Sequence, residues 1–210
     1  MSAKWSVVQA VLCLVAGAGA LALHALWPLA MTGGASLFIF FVLARPRMTR
    51  LFGLGVANAV TLVRVAVLVG AAVMPSTWWS FGLVLALDGL DGFIARRLDE
   101  ATPFGAHFDM ETDALLVALL SVAVVLAGAP AWALTLGALR YVYVLARALH
   151  PPRVITERRS TFSRSVFSIT VCALLLSLTP APEPLKLAAL AIALGCLLVS
   201  FASDFAALRG

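Results

Sequence analysis

Long apolar segments alternate with short polar loops along almost the whole chain, and this alternation limits what the chain can fold into. A helix that crosses a bilayer needs about 20 predominantly apolar residues. The 210 residues are 62% hydrophobic and only 12% charged, and the mean hydropathy is +1.04, far above that of soluble globular domains. The sequence therefore predicts an all-α, polytopic membrane bundle, with room for about six to eight spans.

The positions of the basic residues predict how the bundle is oriented. The net charge of +5 would suit nucleic acid, but the basic residues cluster at 45–50, 96–97 and 153–164, between apolar segments. Cytoplasmic loops of membrane proteins carry such clusters. We interpret the basic clusters as markers of cytoplasmic loops that are also attracted to anionic lipid head groups, and not as a nucleic-acid binding surface. A multi-pass cell-membrane protein is expected, with both termini and the charged site on the cytoplasmic side.

The first 45 residues are expected to form an N-terminal apolar hairpin, separate from a unit that covers residues 46–210. Its first apolar run, residues 5–29, is predicted to end at Pro28 and the Gly33-Gly34 pair. The next run, residues 34–44, is short for a span, so both a tilted span and a re-entrant hairpin remain open.

Four aspartates interrupt the apolar pattern near the middle of the chain. Asp88 and Asp91 fall on one helix face together with two small residues, Gly92 and Ala95. Thr102 and Pro103 then break the helix. An ionised side chain at membrane depth is costly, so such residues indicate a functional site.

The second pair of aspartates repeats this arrangement. Gly105, Asp109 and Asp113 lie four apart and share one face of the following helix. Oxygen ligands without histidine or cysteine suit Mg²⁺ or Mn²⁺, and four carboxylates are enough for two ions that together clamp a phosphate or pyrophosphate. The planar fork of Arg96 suits a diphosphate.

The full pattern is Asp-x2-Asp-Gly-x2-Ala-Arg-x8-Gly-x3-Asp-x3-Asp, and it runs from Asp88 to Asp113. It resembles the signature of the CDP-alcohol phosphatidyltransferases at every fixed position and gap. The earlier run Ala57-Asn58-Ala-Val-Thr61-Leu-Val-Arg64 is similar to that family's Pro-Asn-x-x-Thr-x-x-Arg pattern, with Ala57 in place of the proline. The resemblance covers about residues 46–208 and implies six core transmembrane helices, with the N-terminal pair outside them.

The resemblance also implies the roles of individual residues. Asp113 would act as the general base, taking the proton of the acceptor hydroxyl. The two divalent cations would be held by Asp88, Asp91, Asp109 and Asp113. Contacts to the CDP moiety would come from Asn58, Thr61, Gly92, Ala95, Arg96, Thr102 and Gly105.

The implied reaction displaces CMP from a CDP-linked lipid, usually CDP-diacylglycerol, by a small alcohol, in phospholipid biosynthesis. A homodimer is expected by the same resemblance. One alternative is a related enzyme that uses soluble CDP-choline or CDP-ethanolamine and transfers to diacylglycerol. An alternative from another class is a divalent-cation transporter. Family members that use glycerophosphate typically show a Gly-Lys-x-Lys-Thr pattern near residues 153–164, which this chain lacks.

Several charged residues carry two interpretations. Arg64 is either a residue that extends to the membrane interface or part of the site. The basic residues of the loop at 153–164 either mark a cytoplasmic loop or form a pocket for a phosphate on the acceptor. His107 is expected to be incidental, because its position points it off the aspartate face, and Glu111 is expected to be a solvated or loop charge.

Overall fold

The computed structural model describes residues 2–48, 56–73, 81–84, 86, 103–149 and 161–209, and all the regular structure in these ranges is helical. The long helices are α1 (Ser2–Ala22), α2 (Trp27–Met48), α3 (Val56–Val73), α4 (Pro103–Leu126), α5 (Leu134–Leu149), α6 (Thr161–Ser177) and α7 (Glu183–Arg209). A short 3-10 helix, Ala131–Ala133, precedes α5. The prediction of an all-α fold is confirmed.

Helix α4 lies at the centre of the described bundle. It packs against α1, α2, α3, α5 and α6, whereas α7 packs mainly against α6. Every residue from 114 to 124 is buried. The helix begins at Pro103, where a proline is tolerated because the first turn has no intrahelical partner for its N–H. Side chains in the first three turns of α4 therefore contact several neighbouring helices at once.

The predicted end of the first apolar run is wrong. Helix α1 ends at Ala22, and the chain turns at His24, whose φ is 49°. Pro28 lies in the first turn of α2, and the Gly33-Gly34 pair lies inside that helix. The physical reason is close packing, since a Cβ on Gly33 would come within 2.4 Å of Leu115 Cδ1. The glycines allow α2 to approach its neighbours closely and do not form a turn.

The outer surface of the bundle is strongly apolar. Val15, Ile192 and Val199 are mostly exposed, as are many other large aliphatic side chains. Among the described residues, Lys4–Ala22 and Glu183–Ala202 are long and apolar enough to cross a membrane, and Trp27–Leu43, Thr61–Val73 and Ser165–Ser177 are shorter apolar helices. The count of six core spans and the division at residue 45 stay predictions.

Candidate active site

Two of the four signature aspartates lie one turn apart near the start of α4, and both contact an arginine of α3. Arg64 Nη2 donates to Asp109 Oδ1 at 2.5 Å, and Arg64 Nη1 lies 3.2 Å from Asp113 Oδ1. The Arg64 side chain is 1% exposed, whereas Asp109 is 38% and Asp113 23% exposed. A buried cation thus holds two carboxylates that a molecule from outside can still reach.

Arg64 is therefore part of the site. The interpretation of Arg64 as a residue that extends to the interface is wrong, because its guanidinium is buried and bridges two carboxylates through two nitrogen atoms. One positive charge facing two negative charges leaves a net negative charge, which favours a further cation. The sequence carries a signal for this position, because Asn58, Thr61 and Arg64 are spaced three apart and therefore share roughly one helix face.

The structure locates a few of the other predicted site residues. Gly105 lies one turn before Asp109 on the same face of α4, and Thr61 is buried on α3, three residues before Arg64. The backbone of Asn58 belongs to α3. The remaining predicted residues lie outside the described ranges: Asp88, Asp91, Gly92, Ala95, Arg96 and Thr102.

The donor set fits a hard divalent cation. Asp109 and Asp113 supply only oxygen, and they approach the same guanidinium, so they lie within a few ångströms of each other. Within the described ranges, no three carboxylate, histidine or cysteine side chains converge as a metal site. The two-ion arrangement therefore stays a prediction that depends on Asp88 and Asp91.

A second ionic cluster lies on the opposite side of α4, and sequence reasoning missed it. Glu111 is 1% exposed; it accepts a hydrogen bond from Ser6 Oγ at 2.8 Å and one from Arg140 Nη2 at 3.0 Å. His107 Nε2 lies 3.1 Å from Ser6 Oγ. These four residues are called the Glu111 cluster below. The expectations of a solvated Glu111 and an incidental His107 are wrong, because α1 and α5 cover this face.

Aromatic rings fix the first turns of α4 next to both ionic groups. Phe104 and Phe108 stack with centroids 5.9 Å apart, and Phe40 of α2 lies 5.4 Å from Phe104. Trp5 of α1 stacks on Phe40 at 5.3 Å. Such contacts add to the burial of large apolar area. They connect the N-terminal helices to the segment of α4 that carries Asp109.

The chain belongs to the CDP-alcohol phosphatidyltransferase family. The sequence profile of that family matches residues 54–207, which include α3, α4, α5 and α6 and most of α7. Residues 1–53 lie outside the match.

A curated relative is the CDP-diacylglycerol–glycerol-3-phosphate 3-phosphatidyltransferase of Pseudomonas fluorescens. It is 49% identical over 45 residues, which are 21% of this chain and 23% of the relative, so the match spans less than a quarter of the relative's length. No solved structure matches the chain.

Proposed function

We propose that this protein transfers a phosphatidyl group from CDP-diacylglycerol to an alcohol and releases CMP. The observation that carries the proposal is the pair Asp109 and Asp113, which is accessible, bears excess negative charge and is held by the buried Arg64. This pair forms the second half of the family signature. The family match and the name of the partial relative support the same class of reaction.

In the proposed reaction, the acceptor hydroxyl attacks the phosphorus atom bonded to the diacylglycerol oxygen. A new P–O bond forms, the P–O bond to CMP breaks, and the hydroxyl proton passes to Asp113. Both carboxylates contact Arg64, Asp109 through Nη2 and Asp113 through Nη1. The assignment of Asp113 as the base comes from its place as the last aspartate of the family signature, and a carboxylate near a metal ion can accept the hydroxyl proton.

We propose two Mg²⁺ or Mn²⁺ ions as cofactors, held by Asp109 and Asp113 together with Asp88 and Asp91. Bound there, they would offset the charge that develops on the leaving CMP. Arg64 has a different role, because it fixes both carboxylates of α4 in one orientation. The predicted CDP contacts of Asn58, Thr61, Gly92, Ala95, Arg96, Thr102 and Gly105 belong to the same proposal.

We also propose that the bundle crosses the cell membrane several times, with both termini and the site on the cytoplasmic side, and that it forms a homodimer. The exposed aliphatic surface and the two long apolar helices support the membrane part. A site at that boundary is reached by a water-soluble acceptor and by a lipid-linked donor.

The test is to incubate the purified protein with Mg²⁺, labelled CDP-diacylglycerol and a panel of alcohols, and to measure CMP. Glycerol 3-phosphate, serine, inositol and inositol phosphate form the panel. We expect one alcohol to support release, EDTA to abolish it, and Mg²⁺ or Mn²⁺ to restore it. Parallel reactions with CDP-choline or CDP-ethanolamine and diacylglycerol test the alternative donor. Metal-independent release of CMP would contradict the cofactor proposal.

The same assay separates a transferase from a cation transporter. An ion path would need polar groups along α4 beyond Asp113, but residues 114–124 are buried and almost wholly apolar. The Ser121 hydroxyl in this run donates back to the Val117 carbonyl at 2.7 Å. Transport of divalent cations by reconstituted protein without release of CMP from any donor would reject the proposed function.

A further inference from the structure

Helix α4 is held from two sides by two arginines. Successive residues of an α-helix are rotated by about 100°, so Glu111 points to the opposite side of α4 from Asp109 and Asp113, each two residues away. Arg64 of α3 binds the first side, and Arg140 of α5 together with Ser6 of α1 binds the second. A rotation of α4 that moved the aspartates away from Arg64 would also pull Glu111 out of its contacts.

Ser6 makes a polar contact to this helix from outside the family match. Its hydroxyl donates to Glu111 Oε1 at 2.8 Å. The Ser6 oxygen can then accept from His107 Nε2, at 3.1 Å, if that ring nitrogen carries a proton. One hydroxyl thus connects two residues one turn apart on α4, so it limits rotation as well as sliding of α4 relative to α1.

Helix α1 is itself well anchored, which is necessary if Ser6 is to hold another helix in place. Gln9 lies one turn after Ser6, is buried, and its Nε2 lies 3.4 Å from the Gly33 carbonyl oxygen of α2. The stacking of Trp5 on Phe40 fixes the preceding residue. The hydroxyl of Ser6 is therefore presented to α4 from a rigid support.

We propose that Ser6 is a positioning residue for the phosphatidyl transfer. Through Glu111 and His107 it sets the rotation of α4, and thereby the placement of Asp109 and Asp113 beside Arg64. The N-terminal pair of helices then contributes to the geometry of the site, although it lies outside the family match. This inference rests on the proposed function for its kinetic readout, and metal binding gives a readout independent of that function.

The experiment compares Ser6→Ala, Ser6→Thr and a matched control, Ser36→Ala, in the full chain in detergent. Ser36 lies on α2 and is buried, and its hydroxyl has no hydrogen-bond partner among the described residues. Ser36→Ala removes the same atom from the same hairpin without removing a hydrogen bond to α4. CMP release is measured with CDP-diacylglycerol and the acceptor found above, and binding of MnCl₂ alone is measured by electron paramagnetic resonance.

We expect Ser6→Ala to lower kcat about 10-fold and to weaken Mn²⁺ binding to a similar degree, as loss of groups that orient metal ligands does. The KM for CDP-diacylglycerol should stay within about twofold, because no donor contact is removed. Ser6→Thr, which keeps the hydroxyl, should restore most of the activity. Ser36→Ala should match the unaltered protein.

Equal effects of Ser6→Ala and Ser36→Ala on Mn²⁺ binding and kcat would overturn the inference, as would failure of Ser6→Thr to restore activity. If Ser6→Ala does not yield folded protein, Ser6→Cys, which has a similar volume and a weaker donor, gives the same comparison. Absence of CMP release from the unaltered protein would overturn the proposed function instead, and Mn²⁺ binding would still decide the role of Ser6.

Discussion

The two sides of α4 use the same residue types for different purposes. On one side Arg64 faces two partly exposed aspartates, and on the other Arg140 faces a single buried glutamate. The first group carries excess negative charge and is accessible, whereas the second is balanced and closed. The comparison teaches that charge balance and exposure, and not the presence of an ion pair, distinguish the candidate active site from a structural contact in this bundle.

The difference follows from the cost of charge in an apolar environment. A buried ion pair contributes little net stability, yet removal of one partner is costly because the other charge stays buried. The Glu111 cluster therefore keeps α4 in one orientation more than it stabilises the fold. The excess negative charge of the aspartate side is unfavourable by itself, so that side is suited to the proposed cation.

The substitution Asp113→Asn should separate the two sides most clearly. It removes the proposed base but keeps the size of the side chain, so transfer should fall about 1,000-fold. The melting temperature in detergent should stay close to that of the unaltered protein. CMP release and a thermal melt check both expectations. If the Asp113→Asn protein kept its activity, the assignment of Asp113 as the base would be wrong.

Glu111→Gln should differ from Asp113→Asn by a clear loss of stability, and it should also lower CMP release, because Glu111 helps to orient α4. It leaves the Arg140 cation without its counter-charge, and the expected destabilisation is about 2 kcal/mol, below the range for fully buried pairs because Arg140 is partly exposed. The thermal melt measures it.

The control for Glu111→Gln is Glu183→Gln. Glu183 pairs with Lys186 at 2.9 Å on the surface, and loss of such an exposed pair should cost less than about 1 kcal/mol. Equal losses of stability in the two variants would show that the Glu111 cluster is no more than a surface-like pair.

Arg64→Lys tests whether the aspartate side needs a planar guanidinium that contacts both carboxylates. Arg64 contacts two carboxylates through two nitrogens, and a lysine ammonium cannot reproduce this geometry, so CMP release should fall about 10-fold. Arg140→Lys is the matched change on the other side, where Nη2 contacts one carboxylate, and it should change release less than about twofold. The reverse order of effects would break the comparison.

Gly33→Ala should produce the smallest effect, through packing alone. The added Cβ would lie 2.4 Å from Leu115 Cδ1, and relief of that overlap should cost about 1 kcal/mol of stability. Gly17→Ala on α1 is the control, since nothing lies within 4 Å of its added Cβ. The melting temperature should fall for the first and stay or rise for the second. No difference between them would indicate that α2 and α4 adjust freely.

The sequence predicts that Asp109 and Asp113 share a helix face, because that information is local. Asp109 and Asp113 are four apart, so helical periodicity alone places them on one face, and the apolar segments mark α3, α4 and α5. The Glu111 cluster could not be predicted in this way. Ser6 and Glu111 are 105 residues apart in the chain, and periodicity identifies the face on which Glu111 lies but not the helix that covers it.

The glycines of α2 show a related limit. A Gly-Gly pair after a proline is a normal signal for a turn, and only the side chains of neighbouring helices explain why it lies inside a helix here. Leu115 and Val69 occupy the space that side chains at residues 33 and 34 would need. Local sequence does not carry that information, because the space is defined by α3 and α4.

The hydrogen bond from Ser6 to Glu111 also bears on where this protein can be divided. The segment that the family profile matches begins at residue 54, but the helices that pack around α4 include α1, which begins at Ser2. A chain cut at the family boundary would open one flank of its own central helix. The segment defined by family similarity is therefore shorter than the segment needed to cover α4, and only the longer one includes α1.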